Sequence, residues 1–147
     1  MKNDGTKMYE ELRLENQLCF PLYVCSKEIV RLYRPFLDEL DMTYTQYITM
    51  MVLWEEKSIS VKELGGKLYL DSGTLTPVLK ALESKGYIDR CRCQEDERVL
   101  IVTLTDRGAA LADKAAEVPK KVACKLSLGP EDAAELYRLL YKVLGSI

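Results

Sequence analysis

A mainly α fold carrying one small β-hairpin is predicted by three features of the sequence. Apolar residues recur at helical spacing at both ends of the chain. A serine capping box and a second polar helix start lie eleven residues apart in the middle, and one β-rich stretch, Ile88 to Leu104, follows them. At 147 residues the chain suits one domain with a real core.

Taken in order, Leu14, Leu18, Tyr23, Ile29, Val30 and Tyr33 give a helical pattern from Glu10 to Leu37. Pro21 should bend or interrupt it and Pro35 should break it again, because proline lacks an amide donor and crowds the preceding turn. Thr43 or Thr45 can cap a helix containing Tyr47, Ile48, Met51, Val52 and Trp54. Ser60-Val-Lys-Glu63 reads as a capping box opening a short helix with Leu64 and Leu68 inward. Asp71-Ser-Gly-Thr74 starts another, with the stripe Leu75, Val78, Leu79, Leu82. Pro77 is tolerable there only near the first turn, and Gly86 ends the helix. Ile88 to Cys93 and Arg98 to Leu104 form a two-stranded hairpin around the polar tip Gln94–Glu97. Thr105 caps a helix through Leu111, Ala112, Ala115 and Ala116 that reaches Pro119 or continues beyond it. Gly129-Pro130-Glu131-Asp132 opens the last helix, whose stripe is Leu136, Leu139, Leu140, Val143.

Helix, short turn, helix with a polar outer face, then hairpin is the order of a winged helix-turn-helix. The expected organisation is a DNA-binding region at 41–105 between helical segments, 7–40 and 106–147. Those segments lack partners in so small a unit and are best explained as a homodimer interface.

Composition narrows the chemistry. With no histidine there is no His-based triad, no His-containing zinc site and no imidazole base. Met1–Lys7 and the residues after it show no apolar signal core, and the run Ile48–Trp54 is too short to span a bilayer, so a cytoplasmic protein without membrane contact is expected. The net charge is −2, and residues 57–98 hold eight basic against seven acidic groups. Affinity for double-stranded DNA must therefore come from placement and dimerisation rather than gross charge. Candidate contacts are Ser72, Thr74, Thr76 and Lys80 on the second helix, and Arg90, Arg92, Asp96 and Arg98 in the wing; solvated surface charge is the plain alternative.

The strings Leu18-Cys-Phe-Pro-Leu-Tyr23, Thr43-Tyr-Thr-Gln-Tyr47, Leu53-Trp-Glu55, Leu70-Asp-Ser-Gly-Thr-Leu-Thr-Pro77, Asp96-Glu-Arg98 and Leu104-Thr-Asp-Arg-Gly108 resemble the MarR family. More narrowly they are similar to its organic-hydroperoxide-sensing repressors. The resemblance implies a homodimer that binds a pseudo-palindromic operator and is released when an organic hydroperoxide, the inducer, oxidises it. It implies that Cys19 is the peroxide-reactive cysteine. Tyr33 and Tyr44 would hydrogen-bond its thiolate from the partner subunit, with Phe20 and Tyr23 in the same pocket. Two-cysteine relatives carry a resolving cysteine in the region of Cys124, so an intersubunit Cys19–Cys124 disulfide is implied too.

Phenol donors favour a thiolate, and apolar walls suit organic peroxides. The bland alternative for Cys19 is a buried structural thiol. Cys25 is expected to pack. Cys91 and Cys93 share one strand face; vicinal thiols could bind a soft metal or be modified, but zinc needs further ligands, and ordinary strand positions are the expectation. Two positions depart from the family pattern: Pro21 replaces a small residue, and Ala81 stands where many relatives carry a second base. No cofactor, metal or enzymatic activity is expected. The competing readings are a repressor released by a small phenolic or aromatic ligand, and a thiol peroxidase.

Overall fold

The computed structural model describes residues 8–147; Met1–Lys7, and with it the first residue of the expected 7–40 segment, lie outside them. Two 3-10 turns, Glu10–Leu12 and Leu14–Asn16, precede helix α1, Cys19–Asp38. The helix thus starts at the cysteine instead of running through from Glu10. Pro21 falls in its first turn, where amides have no intrahelical acceptor, so the expected bend does not arise. Pro35 comes so near the end that α1 continues only three residues past it.

Thr43 caps α2, Tyr44–Glu56, in a reciprocal box with Gln46. After it comes β1, Ser58–Ser60, a third strand that the sequence did not reveal. Ser60 and Glu63 form the expected box on α3, Val61–Leu68. Tyr69 ends α3 in the left-handed region at φ 55°. Asp71 caps α4, Ser72–Ser84, by accepting from the Thr74 amide at 2.7 Å. Pro77 stands in the second turn of α4, one turn later than expected. The helix absorbs the lost hydrogen bond because Leu75, Leu79 and Leu82 are buried against the core on the opposite face. Gly86, at φ 77°, turns the chain into β2, Ile88–Arg92.

β3, Leu100–Leu104, is the centre of the antiparallel sheet β1-β3-β2. The registers Ile59↔Val102, Ile88↔Leu104 and Arg90↔Val102 turn one face inward. Ile59, Ile88 and Val102 join Met50, Leu53, Leu64, Leu75, Leu79 and Leu82 in the core.

The single helix expected after Thr105 is three short ones: α5, Asp106–Ala109; α6, Ala112–Ala115; and α7, Val118–Ala123. Pro119 cannot donate to the Ala115 carbonyl, which instead accepts from the Tyr47 hydroxyl at 3.5 Å. Amides at the joints reach back three residues, as Leu111 to Gly108 and Glu117 to Lys114, and tighten the turns. The last helix, α8, is Pro130–Leu144, and none of its residues is buried. No helix among the described residues is long and apolar enough to cross a membrane.

Candidate DNA-reading and thiol-sensing sites

The candidate DNA-reading helix is set by its cap. The Asp71 carboxylate accepts the Thr74 amide, which holds its pKa below the usual aspartate value and fixes where the helix begins. Ser72, Thr74, Thr76 and Lys80 are then exposed on the face opposite the buried leucines. The Thr76 hydroxyl donates to the Ser72 carbonyl at 2.7 Å.

In the wing, Arg98 is almost fully exposed yet oriented. Its Nε and one terminal nitrogen bind the two Asp96 oxygens at 3.0 and 3.2 Å, and its amide donates to Asp96 as well. The guanidinium beside Asp96 keeps that carboxyl below its usual range.

An open groove of about 880 Å³ lies between α3, α4 and the wing. It brings Ser72, Thr76 and Arg98 together, and adds Lys62 and Tyr69, which the sequence reasoning missed. An exposed aromatic at the turn between two capped helices was the signal available for Tyr69. Thr74, Lys80, Arg92 and Asp96 stand outside the groove lining. Arg92 donates to the Glu97 carbonyl and firms the tip. Arg90 is bound to Glu83 through two nitrogens at 3.1 and 2.7 Å, fastening β2 to α4; the guanidinium beside Glu83 lowers the pKa of its carboxyl.

The residues expected to form a sensor fall into two groups toward opposite ends of α1. Cys19 is exposed at the first position of the helix, with Phe20 and Tyr23 also exposed and the Lys27 ammonium over the Tyr23 ring. Tyr33 is fourteen residues further along the same helix, about 21 Å by the α-helical rise. It packs edge-on against Tyr44 with ring centroids 5.0 Å apart, and both abut Tyr47, which meets Trp54. Burial pushes the Tyr33 and Tyr44 hydroxyls above the ordinary phenol value, and burial followed by the neighbouring phenols pushes Tyr47 up to about 12. At neutral pH all three are hydrogen-bond donors. Tyr33 and Tyr44 are only partly covered, whereas Tyr47 is buried.

Cys124 is exposed at the C-cap of α7. Its neighbours Lys121 and Lys125 sit over the Phe36 ring at 5.6 and 5.1 Å. Cys124 therefore belongs to the tyrosine end of α1, not to the Cys19 end. Cys25, expected to pack, is exposed in the protomer, as is Cys91; Cys93 is half-buried. Among the described residues no group of three or more His, Cys, Asp or Glu side chains is arranged to hold a metal ion.

Residues 31–115 match the family model described as transcriptional regulator SarA/Rot. The chain is 44% identical over 139 residues to the organic hydroperoxide resistance transcriptional regulator of Bacillus subtilis, covering 95% of each. Reduced AbfR bound to DNA, a Staphylococcus epidermidis protein, superposes with TM-score 0.78 at 36% identity over 93% of this chain and 96% of that one. The disulfide form of AbfR gives TM-score 0.66 at 38% identity, over 92% and 95% of the two chains. A mutant MarR from E. coli complexed with operator DNA gives 0.76 at 29% identity, over 86% and 93%. These relatives are regulators, not enzymes, and the chain belongs with them to the MarR/SarA family of transcriptional regulators, in its organic-hydroperoxide-resistance branch.

Proposed function

We propose that this chain is a homodimeric, redox-sensing repressor whose reduced form binds a pseudo-palindromic operator and is released by organic hydroperoxides. The observation that carries this reading is the separation along α1. Tyr33 is a protonated donor some 21 Å along α1 from the Cys19 of its own chain, and Tyr44 packs against it, so the cysteine this pair serves is that of a second copy. Cys124 stands at that same end, between Lys121 and Lys125 whose ammonium groups lie over Phe36, where it would meet an incoming Cys19 of the partner subunit.

The chemistry balances without a cofactor. The Cys19 thiolate attacks one peroxide oxygen; the O–O bond breaks, the alkoxide leaves and takes a proton, and Cys19 becomes a sulfenic acid. The Cys124 thiol of the partner then attacks that sulfur, forming the disulfide and releasing water. Phe20 and the tyrosine rings offer apolar walls for an organic substituent. On the DNA side, α4 of each protomer enters successive major grooves with Ser72, Thr74, Thr76 and Lys80 toward it, and Arg98 on its Asp96 rest addresses the flanking minor groove. Arg92 supports the wing, and Arg90, tied to Glu83, acts by holding the wing to α4. A bridge between Cys19 and Cys124 shifts helices across the dimer and spoils the spacing of the two heads.

Operator binding titrated with cumene hydroperoxide tests this. Wild type should release DNA and migrate as a Cys19–Cys124 crosslinked dimer without reductant, while Cys19→Ser should stay bound. Undiminished release of Cys19→Ser overturns the reading. Release by an aromatic acid with all thiols blocked would replace it with a ligand-gated repressor.

A further inference from the structure

The wing carries two thiols that the switch does not use. In the antiparallel register Cys91 stands opposite Ile101, and just past the end of β2 the Cys93 amide donates to the Val99 carbonyl at 2.8 Å, so one hydrogen bond of the same kind continues to the second cysteine. Ile88, Arg90 and Arg92 alternate to the inner face, with Ile88 fully buried, and this puts Cys91 and Cys93 side by side on the outer face. Cys91 is exposed and Cys93 half-buried, with Ile101 on β3 and Val99 just before it, both partly covered, as their backdrop.

The strand sets what this pair can do. Side chains two residues apart stand about 6.7 Å apart and roughly perpendicular to the sheet. A disulfide needs Cβ atoms within roughly 3.5–4.5 Å, so the pair cannot close on itself while the ladder holds. Two metal–sulfur bonds of roughly 2.3 Å set end to end span about 4.6 Å. Rotation of the two Cβ–Sγ arms toward each other supplies that distance. Thiolates select soft cations, and the absence of a third ligand among the described residues disfavours tetrahedral zinc.

We propose that Cys91 and Cys93 form a two-coordinate site for a soft monovalent cation of the cuprous type. Loading involves no electron transfer: two S–H bonds are lost, two metal–sulfur bonds form, and two protons are released per ion. The neutral dithiol becomes a complex of net charge −1, placed in the strand that carries Arg92 and pairs toward Arg98. The wing then loses attraction for phosphate. This second half rests on the DNA-binding role proposed above.

The experiment is an anaerobic titration with cuprous ion, counted by native mass spectrometry, on wild type, Cys91→Ser, Cys93→Ser and the double variant. The expected result is one ion per protomer fewer in each of the three variants than in wild type. An unchanged count in the double variant, or in either single variant, overturns the site. Far-UV circular dichroism should be the same for all four, since neither thiol contributes to the core. Operator binding should weaken roughly fivefold on loading in wild type but not in the double variant, the effect of one unit charge a few ångströms from a phosphate in water. A lost ion with unchanged operator affinity overturns only the regulatory half, so failure of the site and failure of the DNA role are told apart.

Discussion

At the scale of single residues, placement matters more than identity. Tyr47 illustrates it: its ring is the hub between Tyr33, Tyr44 and Trp54, and its hydroxyl serves the carbonyl that Pro119 leaves free. Because the folded state holds its proton up to about 12 while the unfolded chain releases it near 10, folding is favoured by this group below pH 10. That contribution is lost as pH rises from 10 through 12. Thermal unfolding followed by circular dichroism should therefore show melting temperature falling across this window, and Tyr47→Phe should flatten the fall. A wild-type curve that stays level from pH 10 to 12 would refute the assignment. The family resemblance implied roles for Tyr33 and Tyr44, but Tyr47, though it ends the string Thr43–Tyr47, counted only as one more apolar position of its helix. Its role depends on contacts with α1 and α6, which no local pattern encodes.

At the scale of elements, what could be read locally was read and what depends on tertiary contact was not. Thr43 with Gln46, Ser60 with Glu63, and Asp71 with Thr74 are short-range hydrogen-bonding signatures; the last two start helices where the sequence placed them, and Thr43 is the one of its two candidates, Thr43 and Thr45, that caps α2. Strand β1 is three residues long and exists only because Ser58 and Ser60 meet Thr103 and Ile101, more than forty positions away.

The break-up of the segment after Thr105 has the same origin. Thr105 donates to the Gly86 carbonyl at 2.6 Å and accepts from Gly108 at 3.0 Å, while Trp54 donates to the Gly108 carbonyl at 2.9 Å. These bonds pull α5 so close to the start of β2 that a Cβ on Gly108 would lie 2.2 Å from the Tyr87 carbonyl oxygen. That contact is the physical meaning of the glycine in Leu104-Thr-Asp-Arg-Gly108. Gly108→Ala must push α5 off the sheet and should cost about 1–3 kcal/mol, the usual range for overpacking. Chemical denaturation will show it as a lower midpoint with unchanged slope. Gly66→Ala, an exposed position inside α3 where a Cβ meets nothing within 4 Å, is the control expected to raise the midpoint slightly and not lower it.

At the scale of the whole molecule, the apolar surface is distributed as if half of an interface were missing. α8 exposes Leu136, Leu139 and Val143 along one amphipathic stripe and buries no residue, while Leu18, Phe20 and Leu22 are uncovered at the start of α1. Apolar exposure on this scale marks a surface awaiting a partner. On the proposed reading, Cys19 and Tyr33 are kept apart along α1, and one association would both cover the stripe and complete the sensor. Two heads on a rigid dimer further gain from binding two half-sites at once, typically 10² to 10⁴ in affinity. The near-neutral reading region, with eight bases against seven acids, makes that gain necessary. Leu136→Glu with Leu139→Glu should therefore leave the winged core folded, shift sedimentation from dimer to monomer, and weaken operator binding about a hundredfold or more. The same variant should consume hydroperoxide slowly, because its Cys19 has lost the phenols of the second copy. A monomer that keeps full operator affinity would break the link between dimerisation and reading; a dimer that persists would show that α8 is not part of the interface.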